Sequence, residues 1–392
     1  MSEPILRLKP RKERPLLLGH PWIFSGAIAE IDPALEAGTV VTIRDAAGEF
    51  LGRGYANPRC AITVRVLTRV DEPIDAAFVT RRVGDAVALR RAVVPADTDT
   101  YRVLNGEGDY LPGVVADVYG RVVVLQCLTA GAARLRPYVI AALQTVLTPL
   151  GIYERSAGAV RREEGLAPAE SVCSGDVPAE PLAVCEHGLR FWVDVRGGQK
   201  TGWFLDQRDN RSLARSLAGD RVVLNAFAYT GAFTVYAGAG GARQVVSVES
   251  SARALDLARR NWSANGLSES DADFVEADVF QYLRRNDQTF DLLILDPPAL
   301  VKRRQELQRG ARAYKDLHLW ALRRAAPGAH VLTFSCSQHV PPDLFRKIVH
   351  GAAVDAGRAV QVLRWLGAGA DHPIALAHPE AEYLKGLLLH VV

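Results

Sequence analysis

The sequence predicts an α/β protein whose C-terminal part is a doubly wound parallel sheet, preceded by a small β-rich domain and a mixed α+β domain. Three observations carry this. From Val222 onward, short β-branched runs alternate with stretches of helical periodicity. Residues 1 to 72 hold short strand-like runs separated by Gly, Pro and Asp turns. A chain of 392 residues, 48% hydrophobic, is long enough for two or three domains.

In the first segment, GTVVTIRD and AITVRVLTR read as strands. Between about 73 and 185, the helical stretch AAFVTRRVGDAVALRRAVV leads into the turn-rich NGEGDYLPG and the strand-like RVVVLQCL, then another helix and a Pro-rich segment ending near Pro181. The third segment, 186 to 392, repeats strand and helix: VVLN then AFTVYAGA, VVSVE then SARALDLARRNWSANG, DFVEAD then VFQYLRRN, and FDLLILDPP then a long polar helix. Ser250 or Ser251 is the expected N-cap of the second of these helices, and Gly266 its C-terminal stop.

Composition narrows the function classes. No apolar run reaches the roughly 18 to 20 residues of a membrane span, and MSEPILRLKPRKERP has no apolar centre of a secretion signal, so a cytoplasmic protein with no membrane partner is expected. The five cysteines, Cys60, Cys127, Cys173, Cys185 and Cys336, are scattered and never paired as CxxC, which indicates neither a disulfide framework nor a metal site. A net charge of +3 does not announce nucleic acid, but cations cluster at Arg7 to Arg14 and at Lys302 to Lys315. Arg11, Lys12, Lys302, Arg303 and Arg304 are the candidate RNA contacts, set against the plainer reading of solvated faces.

In a doubly wound sheet, ligands sit outside the carboxyl ends of the strands. The first βα connection, NAFAYTGAF, lacks the G-x-G-x-x-G of a pyrophosphate cradle. Gly231 opens a helix there, and Glu249 follows eighteen residues on at the end of the second strand, placed to accept from ribose hydroxyls. A nucleoside without phosphates fits this pattern, and S-adenosylmethionine is the candidate, with Asp278 toward its adenine. The competing reading is that Glu249 and Asp278 only cap the helices after them.

Two further strands converge. One ends in LDPPA, residues 295 to 299, and the next in TFSCS, residues 333 to 337, which places Asp296 and Cys336 at neighbouring carboxyl ends. Pro297 and Pro298 stiffen the loop and remove two amide donors. Amino-methyltransferases of adenine carry an aromatic residue after a related segment, and Ala299 stands there instead. Methylation at C5 of a pyrimidine needs a thiolate added at C6 to make C5 nucleophilic, which gives Cys336 a role. Asp296 would hold the cytosine by N3 and N4. The plainer reading of Cys336 is a small, inert buried residue.

At HPWIFSGAI (20 to 28), GEGDYLPGVVADVYG (106 to 120), GQKTGWFLDQRDNR (198 to 211), NAFAYTGAFTVYA (225 to 237), LDPPAL (295 to 300) and TFSCS, the chain resembles the bacterial large-subunit (23S) ribosomal RNA cytosine-5 methyltransferases with an N-terminal PUA domain. The resemblance spans essentially the whole chain in motif order. It implies a PUA-like RNA-binding domain at 1 to 72, a middle α+β domain at 73 to 185, and a Rossmann-like methyltransferase domain at 186 to 392 with an antiparallel edge. It further implies that Phe204, Asp206, Gln207 and Arg208 close over S-adenosylmethionine. Phe227, Tyr229 and Gly231 go to the methionine-side loop, Glu249 to the ribose, Asp278 to the adenine and Cys336 to the nucleophile. Asn225, Ser250, Asp296 and Pro297, at the ends of the same strands, complete the candidate cofactor lining. The implied partner is 23S ribosomal RNA or a large-subunit precursor, and a homodimer is compatible with the sequence. Many RNA cytosine-5 enzymes have a second cysteine directly after the DP pair; LDPPA has none, so product release would use another base or water. An amino-methyltransferase of adenine or guanine, and a non-catalytic ribosome assembly protein, stand as the alternatives.

Overall fold

A computed structural model describes residues 3–392. The chain divides into two compact units: Met1–Leu182 with Val193–Trp203 and Ala370–Ala381, and Ala183–Trp192 with Phe204–Gly369 and Glu382–Val392.

The first unit holds two sheets. One has six strands, β1 (Ile5–Leu8), β2 (Trp22–Phe24), β3 (Ile28–Glu30), β4 (Thr39–Arg44), β5 (Phe50–Ala56) and β6 (Ile62–Thr68), in the order β2-β6-β5-β4-β1-β3, with the short helix α1 (Arg14–Leu17) after β1. Of these, β5 was hidden by its composition, because FLGRGYA carries two glycines. The other sheet runs β11-β10-β9-β8-β7, from β7 (Thr100–Asn105), β8 (Val114–Tyr119), β9 (Val122–Cys127), β10 (Gly151–Ser156) and β11 (Ala169–Gly175). It packs on α2 (Ala76–Val93) and α3 (Ala130–Leu147), and the short α4 (Ala159–Glu163) leads into β11. Asp75 caps α2 by accepting from Phe78 N at 2.9 Å, and Pro95 ends it. The two sheets are joined through buried polar contacts. Tyr55 donates to Pro112 O at 2.8 Å and lies so close to α3 that a Cβ on Gly131 would meet its ring at 1.9 Å. Arg65 bonds to Glu164, and Asn57 Nδ2 donates to the same carboxylate at 2.8 Å.

The second unit begins with a hairpin, β12 (Leu182–Glu186) and β13 (Leu189–Val193), whose outermost residues fall in the first unit. Helix α5 (Arg208–Leu217) follows, and then a seven-stranded sheet. Its strands are β14 (Val222–Ala226), β15 (Gln244–Glu249), β16 (Ala272–Glu276), β17 (Phe290–Leu295), β18 (Ala325–Ser335), β19 (Val360–Leu366) and β20 (Lys385–Val391). The order β16-β15-β14-β17-β18-β20-β19 puts β14, the first of these strands in the chain, third in the sheet, so strand order reverses there. The first five are parallel, joined by α6 (Ala232–Ala239), α7 (Ala252–Ser263), α8 (Val279–Arg285) and α9 (Leu307–Arg324). Helix α10 (Pro342–Ala356) then leads to β19 and β20, the expected antiparallel edge. Strands β14 and β17 are buried along nearly their whole length, which is why they read as unbroken apolar runs rather than as alternations.

Two local expectations shift. Helix α7 is capped by Ser251, which accepts from Ala254 N at 3.3 Å, but it stops at Ser263; Gly266, at φ 66°, closes the turn beyond it. Lys302 and Arg303 lie in a loop and Arg304 opens a 3₁₀ turn, because α9 begins only at Leu307, where Glu306 reaches back to Lys302 N at 3.3 Å.

Inside this unit His318 of α9 is buried, with Nδ1 against Tyr314 O at 2.6 Å and Nε2 against the Thr333 hydroxyl at 2.7 Å. The carbonyl can only accept, so Nδ1 carries the proton and Nε2 receives one from Thr333. Burial pushes this imidazole down to about 4 from its ordinary 6.5. As pH falls through that window, the unfolded chain takes up a proton that the folded chain refuses, and up to about 3 kcal/mol of stability is lost. Urea unfolding at pH 7 and pH 4.5 is therefore expected to show a smaller pH dependence in His318→Gln than in the parent; an equal dependence would remove His318 as its source.

Candidate functional site

The carboxyl ends of the parallel strands form one edge. The registers Ala226↔Leu295 and Leu295↔Thr333 bring the ends of β14, β17 and β18 level, with Val248 of β15 opposite Ala226 on the other flank. The candidate catalytic and cofactor residues from Asn225 to Cys336 lie at or just past these ends or the end of β16.

The loop after β14 is under backbone strain. Phe227 (φ 61°), Tyr229 (φ 49°) and Gly231 (φ 74°) are all left-handed, and only the last is a residue that adopts this region without cost. Strain of this kind gathers where a ligand is gripped. At Gly231 a Cβ would stand 2.7 Å from Ala258 Cβ, so glycine is also required by the close approach of α7. Glu249 holds the loop: its Oε2 accepts from Tyr229 N at 2.9 Å, while Oε1 accepts from Ser250 N at 2.8 Å, Ser250 Oγ at 3.2 Å and Ser251 N at 3.1 Å. Oε2 therefore has one donor, and a carboxylate oxygen can take two. The buried hydroxyl of Thr230, in the same loop, has no hydrogen-bond partner.

Asp278 is exposed and caps α8 through Oδ1, which accepts from Gln281 N at 2.9 Å. Beside it Phe280, which the sequence does not single out, packs edge-on against Phe227 with centroids 6.1 Å apart. An apolar wall next to a carboxylate with spare acceptor capacity suits an adenine. Asn225 is buried and turned toward α6, its Nδ2 donating to Thr234 Oγ1 at 2.9 Å.

The segment Phe204 to Arg208 lies against the same loop, with the Phe204 ring edge-on to Tyr229 at 5.3 Å. Its polar side chains are deeply buried: Asp206 accepts from Tyr383 OH at 2.5 Å, Gln207 Oε1 accepts from Asn210 Nδ2 at 2.6 Å, and Arg208 is wholly enclosed. The segment is anchored by Arg211. Its guanidinium makes a two-pronged pair with Glu186 at 2.7 and 2.6 Å and donates through Nη1 to Phe204 O at 2.8 Å. Tyr236 OH donates to Glu186 Oε1 at 2.9 Å. Arg211 and Glu186 lie 25 positions apart, and no local pattern joins them.

On the other flank, Asp296 and the buried Pro297 follow β17, and Cys336 follows β18. Cys336 is partly exposed between two buried serines. Ser335 Oγ donates to Tyr314 OH at 2.9 Å, and Ser337 Oγ lies 3.0 Å from the same phenol while accepting from Val301 N at 3.1 Å. Both serines are thus fastened toward α9 and the loop after β17, which fixes the backbone that presents the thiol. Burial raises the Tyr314 phenol above its ordinary value.

The candidate RNA contacts Arg11, Lys12, Lys302, Arg303 and Arg304 are exposed and form no ion pair among the described residues.

Comparison with known proteins bears on this geometry. Residues 6–69 match a PUA-like domain, and residues 161–356 match a family described as S-adenosylmethionine-dependent methyltransferase. The ribosomal RNA large subunit methyltransferase I of Cronobacter sakazakii is 44% identical over 99% of both chains, and that of Klebsiella pneumoniae is 44% identical over 99% of this chain and 98% of its own. In fold, a methyltransferase from Streptococcus mutans superimposes with a TM-score of 0.84 at 24% identity over 98% of this chain and 99% of its own. A second structure, described as a methyltransferase complexed with S-adenosylhomocysteine, gives 0.84 at 24% identity over the full length of both. With its strained loop beside an acid-tipped second strand, and with this identity along its whole length, the chain belongs to the S-adenosylmethionine-dependent methyltransferase family.

Proposed function

We propose that this methyltransferase acts on C5 of a cytosine in large-subunit ribosomal RNA, with Cys336 as the nucleophile. The observation that carries the reading is the placement of Asp296 and a partly exposed Cys336 past the ends of paired parallel strands, one strand from the strained loop. The names of the relatives support large-subunit RNA as the substrate. Cytosine is favoured by the thiol, because methylation of an exocyclic amine needs no covalent partner.

S-adenosylmethionine, when bound, supplies the methyl group. The loop of Phe227, Tyr229 and Gly231 would hold its methionine side, Glu249 Oε2 its ribose, and Asp278 with the Phe227 and Phe280 rings its adenine. The remaining candidates, Phe204, Asp206, Gln207, Arg208, Asn225, Ser250 and Pro297, divide into those that line this space and those that fasten the lining. At the base, the Cys336 sulfur forms a bond to C6 and the C5–C6 π pair moves onto C5. Asp296 in its acid form donates its proton to N3 while its other oxygen accepts from N4, so that the charge created by the addition is neutralised at N3, and it takes the proton back when the product is released. Once C5 is methylated, loss of its proton returns that electron pair to the ring and expels the thiolate. Without a second cysteine after Asp296, a water or another base must accept the proton.

The target cytosine must leave its stack to reach this edge, at a cost of a few kcal/mol met by contacts elsewhere. Arg11 and Lys12 in the turn between β1 and α1, and Lys302 to Arg304 after the DPP segment, are the proposed phosphate contacts.

Cys336→Ala is expected to abolish methyl transfer to ribosomal RNA, followed with labelled cofactor and bisulfite mapping; transfer at full rate would sink the thiolate route and favour an amino-methyltransferase. For the cofactor, calorimetry should find Glu249→Ala weaker by roughly 1 to 3 kcal/mol, the cost of losing a charged acceptor. If affinity holds while stability falls, Glu249 serves the loop alone. Neutralising Arg11 and Lys12 together should flatten the dependence of log affinity on log salt by about 0.7 to 0.9 for each phosphate left without its cation. These substitutions are a cleaner probe than removal of the N-terminal domain, which would strip Tyr55 and Arg65 from their buried partners.

A further inference from the structure

Lys385 opens β20, and its register partner on β18 is Ser335, the residue before Cys336. It is only 6% exposed. Lysine is among the residues least often buried, and a buried ammonium normally has a carboxylate beside it. Among the described residues Lys385 has none; its Nζ donates to Ser337 O at 2.8 Å. A carbonyl satisfies one of three N–H groups and offers only a partial charge. Residues 335 and 337 are thus both tied to Lys385, one by strand register and one by hydrogen bond, and the thiol stands on the residue between them. Burial lowers the Lys385 ammonium from its ordinary value, while the charge of Cys336 works in the opposite direction and raises it.

We infer that Lys385 is a positioning residue for the nucleophile: its ammonium is the counter-charge of a Cys336 thiolate and keeps the sulfur ionised near neutral pH. The inference rests on the reading of Cys336 as the nucleophile. Several groups that titrate are set around this sulfur. From α9 comes Tyr314, whose phenol burial keeps neutral and whose hydroxyl is held between the two serines. From the end of β17 comes Asp296, whose carboxyl opposes a thiolate when ionised and does not when it carries the proton destined for N3. From β20 comes Lys385, which favours one. A nearby lysine is one of the established means by which a thiol is brought into its ionised form. In the covalent step, the lone pair that leaves sulfur for C6 returns when the product is expelled, and the ammonium is again opposite an anion; Lys385 itself neither gains nor loses a proton.

The test is the pH profile of Cys336 alkylation by iodoacetamide in the full-length protein without RNA, read by mass spectrometry of the peptide that contains Cys336. The wild-type midpoint is expected below the ~8.5 of an ordinary cysteine thiol. Lys385→Met should raise that midpoint by about one unit or more, and Lys385→Arg, which keeps the charge, should leave it low. The low-pH limb of kcat/KM should move with it, a displacement that a merely structural lysine would not cause. A wild-type midpoint at or above ~8.5 overturns the inference without any variant, which protects the test if Lys385→Met fails to fold. A low midpoint that does not respond to Lys385→Met overturns it as well. Failure of the parent reading looks different, because methyl transfer would then survive Cys336→Ala whatever the alkylation profile shows.

Discussion

The ladder between β17 and β18 is the constraint on which the candidate site depends. Parallel pairing of Leu295 with Thr333 brings two strands to the same edge although a long helix and its flanking loops separate them in the chain. Within the ladder the backbone groups are used up in pairing, so only what lies past the last pair can face a ligand. Asp296 and Cys336 occupy that position. Pro297 and Pro298 prevent the first strand from continuing. The serines on either side of Cys336 are bound to Tyr314, which turns the second strand's end into a fixed platform rather than a loose loop.

The loop after β14 is built on a different principle. Two non-glycine residues, Phe227 and Tyr229, are held left-handed at a cost of about 1 to 3 kcal/mol each. Something must over-determine them, and Glu249 supplies part of it by accepting the Tyr229 amide across the β14–β15 step. Because Oε1 receives the donors at the start of α7 while Oε2 receives only the loop, capping and ligand binding are compatible uses of one carboxylate.

Charge inside the second unit is arranged in pairs of unlike cost. Arg211 and Glu186 are almost wholly buried and neutralise each other with two-pronged geometry, and Tyr236 adds a further donor to the carboxylate. That network holds Phe204 by its carbonyl, so a charge pair far along the chain sets the segment beside Tyr229. Lys385 has a carbonyl where Arg211 has a carboxylate, a contrast in charge pairing within one unit.

Much of this was legible in the residues themselves. The alternation of β-branched runs with helical periodicity set out five parallel strands in order, because strands such as β14 and β17 are buried on both faces and their apolar character shows without interruption. The ends at Gly231, Glu249, Asp296 and Cys336 were readable for the same reason, since a switch to Gly, Pro and acidic residues marks the edge where burial stops. Weaker signals were lost: the glycine-bearing β5, the delayed start of α9, and the true end of α7. The tertiary structure alone decided what touches what across long separations. Arg211 with Glu186, Phe280 with Phe227, Tyr314 with the serines around Cys336, and Lys385 with Ser337 are all pairings between elements, and a sequence records the preferences of a residue for its neighbours in the chain, not which distant strand the packing will bring beside it.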